Sequence, residues 1–289
     1  MHKPIVSILM TSYNREKYIA EAIESALAQT LSDFELIIVD DCSADRTVDI
    51  ARQYTTDPRV RVYVNTNNLG DYPNRNRAAE YAQGKYIKYL DSDDLIYPRG
   101  LEILVETMER FPEAGYGLCS LEQDKYRMFP FQLSPKDAYH RHYLEQPLFH
   151  KAPLSSIIRR EAFETVGGFT GKQHVGDFEM WHNLSARFPV VLMPHGIVWY
   201  REHGDQQMND NLSNITVPFK YLVIEVELLQ SKNNPLSSEE KEASLYRAYR
   251  RQARYILRAA KEHGPRKAAE LLRMSQLSIG EVFSRAFLK

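Results

Sequence analysis

The sequence predicts an α/β fold, with a mainly parallel sheet, helices on both of its faces and a helical C-terminal extension. Three observations carry this. Short apolar runs alternate with segments of helical spacing along the first part of the chain. Polar or acidic residues stand directly after the ends of those runs. From Ser237 onward the strand pattern gives way to helical periodicity alone.

The first apolar run, Ile5 to Met10, reads as a buried strand ending at the polar segment Thr11-Ser12-Tyr13-Asn14-Arg15. Ile19, Ala22, Ile23, Ala26 and Leu27 then recur at helical spacing. Phe34 to Val39 is a second strand, stopped by Asp40-Asp41-Cys42-Ser43, and Val48, Ala51 and Tyr54 mark a second helix. Val60 to Val64 is a third strand. Pro73 suits the start of a helix that carries Ala78, Ala79 and Ala82 and stops at Gly84. Tyr86 to Leu90 follows as a strand, ending in Asp91-Ser92-Asp93-Asp94. Leu101, Leu104, Val105 and Met108 form the next helix, and Tyr116 to Cys119 the next strand.

Between Glu122 and His150 the pattern fades into mixed aromatics, prolines and charges, as in a loop-rich binding region. Pro153 to Ile158 reads as extended and Arg160 to Val166 as a short helix closed by Gly167. A helix starting near Asp177 turns Met180, Trp181 and Leu184 inward. Pro189 to Met193 and Gly196 to Tyr200 are strands. Ser237 and Glu240 have the spacing of a capping box. The helix they open carries Leu245, Tyr249, Ile256 and Ala260 on one face and Arg247, Arg250, Arg251, Arg254 and Arg258 besides. His263-Gly264-Pro265 separates it from a second helix with Leu271 and Leu272.

Bulk properties narrow the function. The chain has 289 residues, 43% hydrophobic and 26% charged, as in a globular protein with a substantial core. With 37 basic and 38 acidic residues the formal net charge is −1, which argues against nucleic acid as a partner. Cys42 and Cys119 are the only cysteines, too few for a disulfide framework or a cysteine zinc site, and a cytoplasmic location is expected. Met1 to Pro4 runs straight into the first strand without an apolar leader, and no window has the length of a membrane span.

In mainly parallel sheets ligands bind beyond the carboxyl ends of the strands. Thr11, Asp40, Asp41, Asp91, Asp93 and Asp94 all follow strand ends, so they are expected to share one crevice. Three carboxylates within four positions repel one another unless a cation or donor groups offset them. Hard divalent cations such as Mg²⁺ and Mn²⁺ suit oxygen ligands of this kind.

Four segments, in this order, resemble the successive signatures of family-two glycosyltransferases with the GT-A fold. They are Ile8 to Asn14, Val39 to Thr47, Asn68-Leu69-Gly70 through Arg75-Asn76 to Gly84, and Leu90 to Asp94. The overall look is similar to bacterial spore-coat and polysaccharide-biosynthesis members. The resemblance implies a nucleotide-sugar-binding half at 1–121, an acceptor-binding and catalytic half at 122–215, and a helical extension at 216–289. It also implies an inverting transfer from a UDP-sugar to a hydroxyl of a glycan, polysaccharide or lipid-linked sugar, with Mn²⁺ or Mg²⁺.

Thr11 and Tyr13 are then expected to line the nucleobase and ribose pocket, and Asp41 to accept the uracil imide N–H. Asp40 would be structural. Arg75 would reach the base or diphosphate, with Arg77 facing elsewhere. Asp91 would bond the ribose hydroxyls, and Asp93 would ligate the metal together with His203. Asp94 would help orient this shell or, as the favoured of the two roles, cap the helix that follows. Asp177 would be the general base. The chain departs from the family pattern at Cys42, Ala78 and Gly176, where Gly, Gly and an acid are usual. The loss of the acid at Gly176 supports an alternative reading, a catalytically silent sugar-nucleotide-binding or scaffold protein. The basic helix after Ser237 serves packing on the main domain or, in the functional reading, peripheral contact with anionic lipid or a lipid-linked acceptor on the inner face of the cell membrane.

Overall fold

The computed structural model describes residues 3–204 and 214–287. The chain divides into two units, Met1–Ala138 with Leu148–Arg201, and Tyr139–Pro147 with Glu202–Lys289. The first takes in both halves expected at 1–121 and 122–215, apart from Tyr139–Pro147 and the residues after Arg201.

The first unit is built on β1 (Val6–Ser12), α1 (Ile19–Leu27), β2 (Phe34–Asp40), α2 (Thr47–Gln53), β3 (Val60–Val64), α3 (Asp71–Glu80) and β4 (Tyr86–Tyr89). After these come β5 (Leu95–Ile96), α4 (Gly100–Arg110), β6 (Tyr116–Leu121), β7 (Phe131–Leu133), α5 (Pro135–His140), β8 (Ser156–Arg159), α6 (Arg160–Val166), α7 (Gly176–Ser185), β9 (Val190–Pro194) and β10 (Val198–Trp199). Eight strands form one sheet in the order β3-β2-β1-β4-β8-β6-β9-β7, and β10 pairs with β5. The β1–β2, β2–β3, β1–β4 and β6–β9 pairs are parallel. β8 runs antiparallel to both β4 and β6, and β7 antiparallel to β9.

The parallel strands lie in the core, with β2 buried along its whole length. Their side chains interlock with Ile19, Ala22, Ile23 and Ala26 of α1 and with Leu101, Leu104 and Met108 of α4. This is why these strands read as continuous apolar runs rather than alternating ones. β4 contains an exception, Lys88, which is fully buried. Its ammonium donates to the carbonyls of Tyr89, at 2.9 Å, and Leu154. Burial lowers its pKa to about 8.

Chain order fixes where ligands go. β1 sits between β2 and β4, so the connections leaving β1 and β4 diverge and open a crevice at their carboxyl ends. Gly84 lets β4 start there. A Cβ on it would lie 2.5 Å from the Ser7 amide nitrogen, so close backbone approach to β1 requires glycine; it does not stop the preceding helix, which ends at Glu80 with Tyr81 at its C-cap.

Several expectations are corrected. β1 runs on to Ser12, and α3 starts at Asp71 rather than at Pro73. Asp94 caps no helix, because α4 begins at Gly100 with Arg99 at its N-cap. The segment 122–150 is not all loop, since it holds β7 and α5.

The second unit holds α8 (Thr216–Gln230), α9 (Ser238–His263), α10 (Pro265–Met274) and α11 (Ile279–Phe287). The capping box at Ser237 and Glu240 forms in both directions. Phe219, Ala253, Ile256, Ala259, Leu271, Leu277, Val282 and Ala286 make the core of this unit. No described helix is long and apolar enough to cross a membrane.

Candidate active site

The site grows from the ends of three neighbouring strands. Register pairs Ser12 with Asp40 and Leu9 with Tyr89, which aligns the ends of β1, β2 and β4. Asp40 is buried and accepts from the Ser12 hydroxyl at 2.9 Å and from the Ser43 amide at 2.8 Å. It ties the β1 and β2 ends together, the structural role expected of it. Asn14 and Cys42 both have positive φ, 52° and 66°. Left-handed backbone at Cys42 is a physical reason for glycine in that slot.

Asp41 is buried and holds the loop before α3. Its carboxylate accepts from the Asn65 side-chain amide and the Leu69 amide, each at 2.8 Å, and from the Gly70 amide at 2.9 Å. A carboxylate offers about four acceptor positions, so roughly one remains. Thr11 is half-buried at the end of β1, and Tyr13 is 47% exposed, leaving ring surface open for stacking.

Arg75, in the first turns of α3, links the acids. Its guanidinium donates to Asp71 at 2.8 Å and to Asp91 at 2.6 Å, and lies over the Tyr89 ring at 5.6 Å from the centroid. Its side chain is only 8% exposed, and its buried Nη1 has no hydrogen-bond partner among the described residues. Burial raises the Asp91 carboxyl pKa, with Arg75 opposing. Asp93 pairs with Arg15 at 2.9 Å. Asp94 accepts the Arg201 amide at 2.9 Å, while the Arg201 guanidinium donates to the Asp93 carbonyl at 2.8 Å. Burial, reinforced by the negative charge of Asp91, pushes Asp94 to about 8. Arg77 pairs with Glu80 on the exposed side of α3, away from this network.

Asp177 is the second residue of α7, inside the helix rather than at its cap. Its Oδ1 accepts the Phe178 amide at 2.7 Å and the Tyr72 hydroxyl at 3.3 Å. Burial raises its pKa to about 6, helped by Asp71 and opposed by the Phe178 amide, Arg75 and Tyr72. Arg75, Asp91 and Asp177 thus meet around the first turns of α3.

Tyr72 also accounts for Gly176. A Cβ at position 176 would lie 2.7 Å from the Tyr72 ring, so no side chain fits without moving that ring. Tyr72, Asp71 and Arg15 were not singled out from sequence as site residues. The place of Tyr72 three residues before Arg75, one helical turn away, was the available signal. His203 belongs to the second unit, where it is half-buried.

Among the described residues no group of three or more His, Cys, Asp or Glu side chains is arranged to hold a metal ion by itself. The donors at hand, Asp91 and Asp93, are hard carboxylate oxygens at one strand end. They fit a cation that takes one or two carboxylates and completes its shell with phosphate oxygens and water.

Comparisons with known proteins bear on the family and the fold. A family profile, Glycosyl transferase family 2, matches residues 7–167. TuaG of Bacillus subtilis (strain 168), a glycosyltransferase whose name assigns it provisionally to teichuronic acid biosynthesis, is 40% identical over 144 residues, 47% of this chain and 57% of TuaG. EpsJ of the same organism, named an uncharacterized glycosyltransferase, is 34% identical over 213 residues, 69% of this chain and 62% of EpsJ. The matches therefore span less than two thirds of these relatives. Among solved structures, S. aureus TarS 1-349 in complex with UDP-GlcNAc has a TM-score of 0.74 at 17% identity, over 97% of this chain and 81% of that one. The mannosyltransferase PcManGT from Pyrobaculum calidifontis, in complex with GDP-Man and Mn²⁺, has a TM-score of 0.64 at 19% identity, over 98% and 81%. These two likenesses show the fold, the GT-A arrangement. The profile covers more than half of the chain, which belongs to glycosyl transferase family 2.

Proposed function

We propose that this chain is an inverting, metal-dependent glycosyltransferase that moves a sugar from a UDP-sugar to a hydroxyl of a glycan, polysaccharide or lipid-linked acceptor. One observation carries the reading: Asp177, on α7, accepts from the Tyr72 hydroxyl at 3.3 Å, one turn along α3 from Arg75, which pairs with Asp91 at 2.6 Å, and burial raises the Asp177 pKa to about 6. A base with that pKa is ionised at neutral pH and still basic enough to take a proton.

The Tyr13 ring stacks on the nucleobase, and the backbone at Thr11 bonds to it. The acceptor position left on Asp41 takes the uracil imide N–H. Asp91 bonds the ribose hydroxyls. Arg75 Nη1, buried without an acceptor, is satisfied by a diphosphate oxygen. Asp93 would hold Mn²⁺ or Mg²⁺, and that cation would supply Lewis-acid neutralisation of the departing group. Asp177 orients the acceptor hydroxyl and removes its proton as the oxygen bonds to the anomeric carbon. The bond from that carbon to the diphosphate oxygen breaks, and UDP leaves with the electron pair. Attack opposite the leaving group inverts the anomeric configuration.

The silent-protein reading rested on the missing acid at Gly176. The Tyr72 ring gives that glycine a packing reason, and the aspartate at the base position is kept. The stereochemical test is proton NMR of the first sugar released from an α-linked UDP-sugar. A β-anomer appearing first is expected. An α-anomer appearing first contradicts single displacement.

A further inference from the structure

The second unit carries a surface that the transfer reaction does not use. α11 opens with its own capping box, the Ser278 hydroxyl accepting from the Glu281 amide while the Glu281 carboxylate accepts from the Ser278 amide. Its Val282 and Ala286 are buried in the core of the unit. Its Ile279, Phe283 and Phe287 are not: they are 65%, 54% and 73% exposed. Spaced four residues apart, they form one apolar stripe along the helix.

A row of cations stands beside it. On α9, Arg247, Arg250, Arg251, Arg254, Arg258 and Lys261 fall within an arc of roughly 100°, at about 100° per residue. The buried residues Ala248, Gln252, Ala253, Ile256 and Ala259 occupy the opposite side. Arg254 reaches α11, its Nε lying 3.5 Å from the Ala286 carbonyl. Arg251 and Arg258 pair with Glu225 and Glu262. Arg247, Arg250, Arg254 and Lys261 have no carboxylate partner among the described residues. Residues 238–289 hold twelve Lys and Arg against six Asp and Glu, within a chain whose net charge is −1. The remainder of the chain is therefore acidic.

We propose that α11 and the arginine row of α9 form a docking surface for an anionic lipid bilayer. The aromatic stripe enters the headgroup boundary, and the guanidinium groups meet lipid phosphates. Charge complementarity selects this occupant. A two-fold contact of this surface with its own copy would bring one arginine row against another, and a neutral apolar partner would leave those charges unmet. The proposal stands independently of the catalytic reading, because lipid binding needs neither donor nor acceptor.

The test is co-sedimentation of the full chain with phosphatidylcholine vesicles, with and without about a third phosphatidylglycerol, at low and high salt. Binding to the anionic vesicles alone is expected, and added salt should weaken it. Removing each arginine near the surface is expected to lower partitioning about fivefold, so R247Q/R250Q/R254Q should lose on the order of a hundredfold. F283S/F287S should lose at least about tenfold. The phenylalanines are exposed, so circular dichroism of this variant should match that of the parent. Absence of binding to anionic vesicles at low salt overturns the proposal. So does equal binding to neutral vesicles. A concentration-dependent dimer that F283S/F287S abolishes, without lipid binding, assigns the stripe to a second copy instead.

Discussion

Replacing Asp177 with Asn should make the protein more stable and nearly inactive at once. The Asn side-chain oxygen keeps both acceptor contacts, from the Phe178 amide at 2.7 Å and the Tyr72 hydroxyl at 3.3 Å. What the substitution removes is a charge whose pKa is raised from 3.8 to about 6, first by burial. That difference of roughly 2.2 corresponds to about 3 kcal/mol at 1.36 kcal/mol per pKa unit. The carboxyl keeps some contact with solvent, so roughly 1–3 kcal/mol is expected, or about 2–10 °C in Tm for a unit of this size. The sign follows from linkage. Below 3.8 the carboxyl is protonated in both the folded and unfolded states and costs nothing. Between 3.8 and about 6 the unfolded chain gives up its proton first, so the folded state loses stability as pH rises. Above about 6 the penalty is complete. Thermal unfolding of the parent and D177N should therefore coincide near pH 4, separate by pH 6 and stay separated to pH 8. Turnover with a competent acceptor should fall by about 10²–10⁴. A D177N protein no more stable than its parent at pH 8, or a gap independent of pH, would refute the reasoning.

Tyr72→Phe removes a donor to the base, so the acid limb of the kcat/KM profile should move up by about 0.4–0.7 pH units with donor KM unchanged; pH–rate kinetics decide it. Arg75→Met leaves Asp91 without its guanidinium. It should cost about 3–5 kcal/mol by thermal unfolding and weaken UDP binding at least about tenfold by calorimetric titration, with Arg75→Lys recovering only part because it lacks the planar fork. Gly176→Ala drives a Cβ to 2.7 Å from the Tyr72 ring and should cost about 1–3 kcal/mol in urea unfolding. Adding Tyr72→Ala should relieve much of that loss.

What was legible in the sequence was local. Apolar runs marked the parallel strands because those strands are buried on both faces, and the Ser237–Glu240 spacing marked a helix start because a capping box is set by four consecutive residues. Gly167 ended α6 as read, with φ of 83° at the C-cap. Long-range partnerships were not legible. The antiparallel course of β8 depends on its neighbours β4 and β6, and apolar periodicity carries no direction. Asp94 read as a helix cap because the helical spacing from Leu101 follows closely, but its partner is the Arg201 amide, 107 positions later. The pairing of Asp93 with Arg15 spans 78 positions and leaves no periodic trace. Lys88 sits in a run read as apolar, its ammonium met by backbone carbonyls that the sequence does not advertise. Gly176 looked like a lost catalytic acid until the Tyr72 ring was found against it.

The most direct test of the central claim is nucleotide release from a panel of UDP- and GDP-sugars, measured with and without Mn²⁺, for the parent chain and Asp93→Ala. The account predicts slow, Mn²⁺-dependent release of UDP from at least one UDP-sugar, abolished in Asp93→Ala. If no nucleotide-sugar in the panel is bound or turned over with Mn²⁺ present, the account is contradicted.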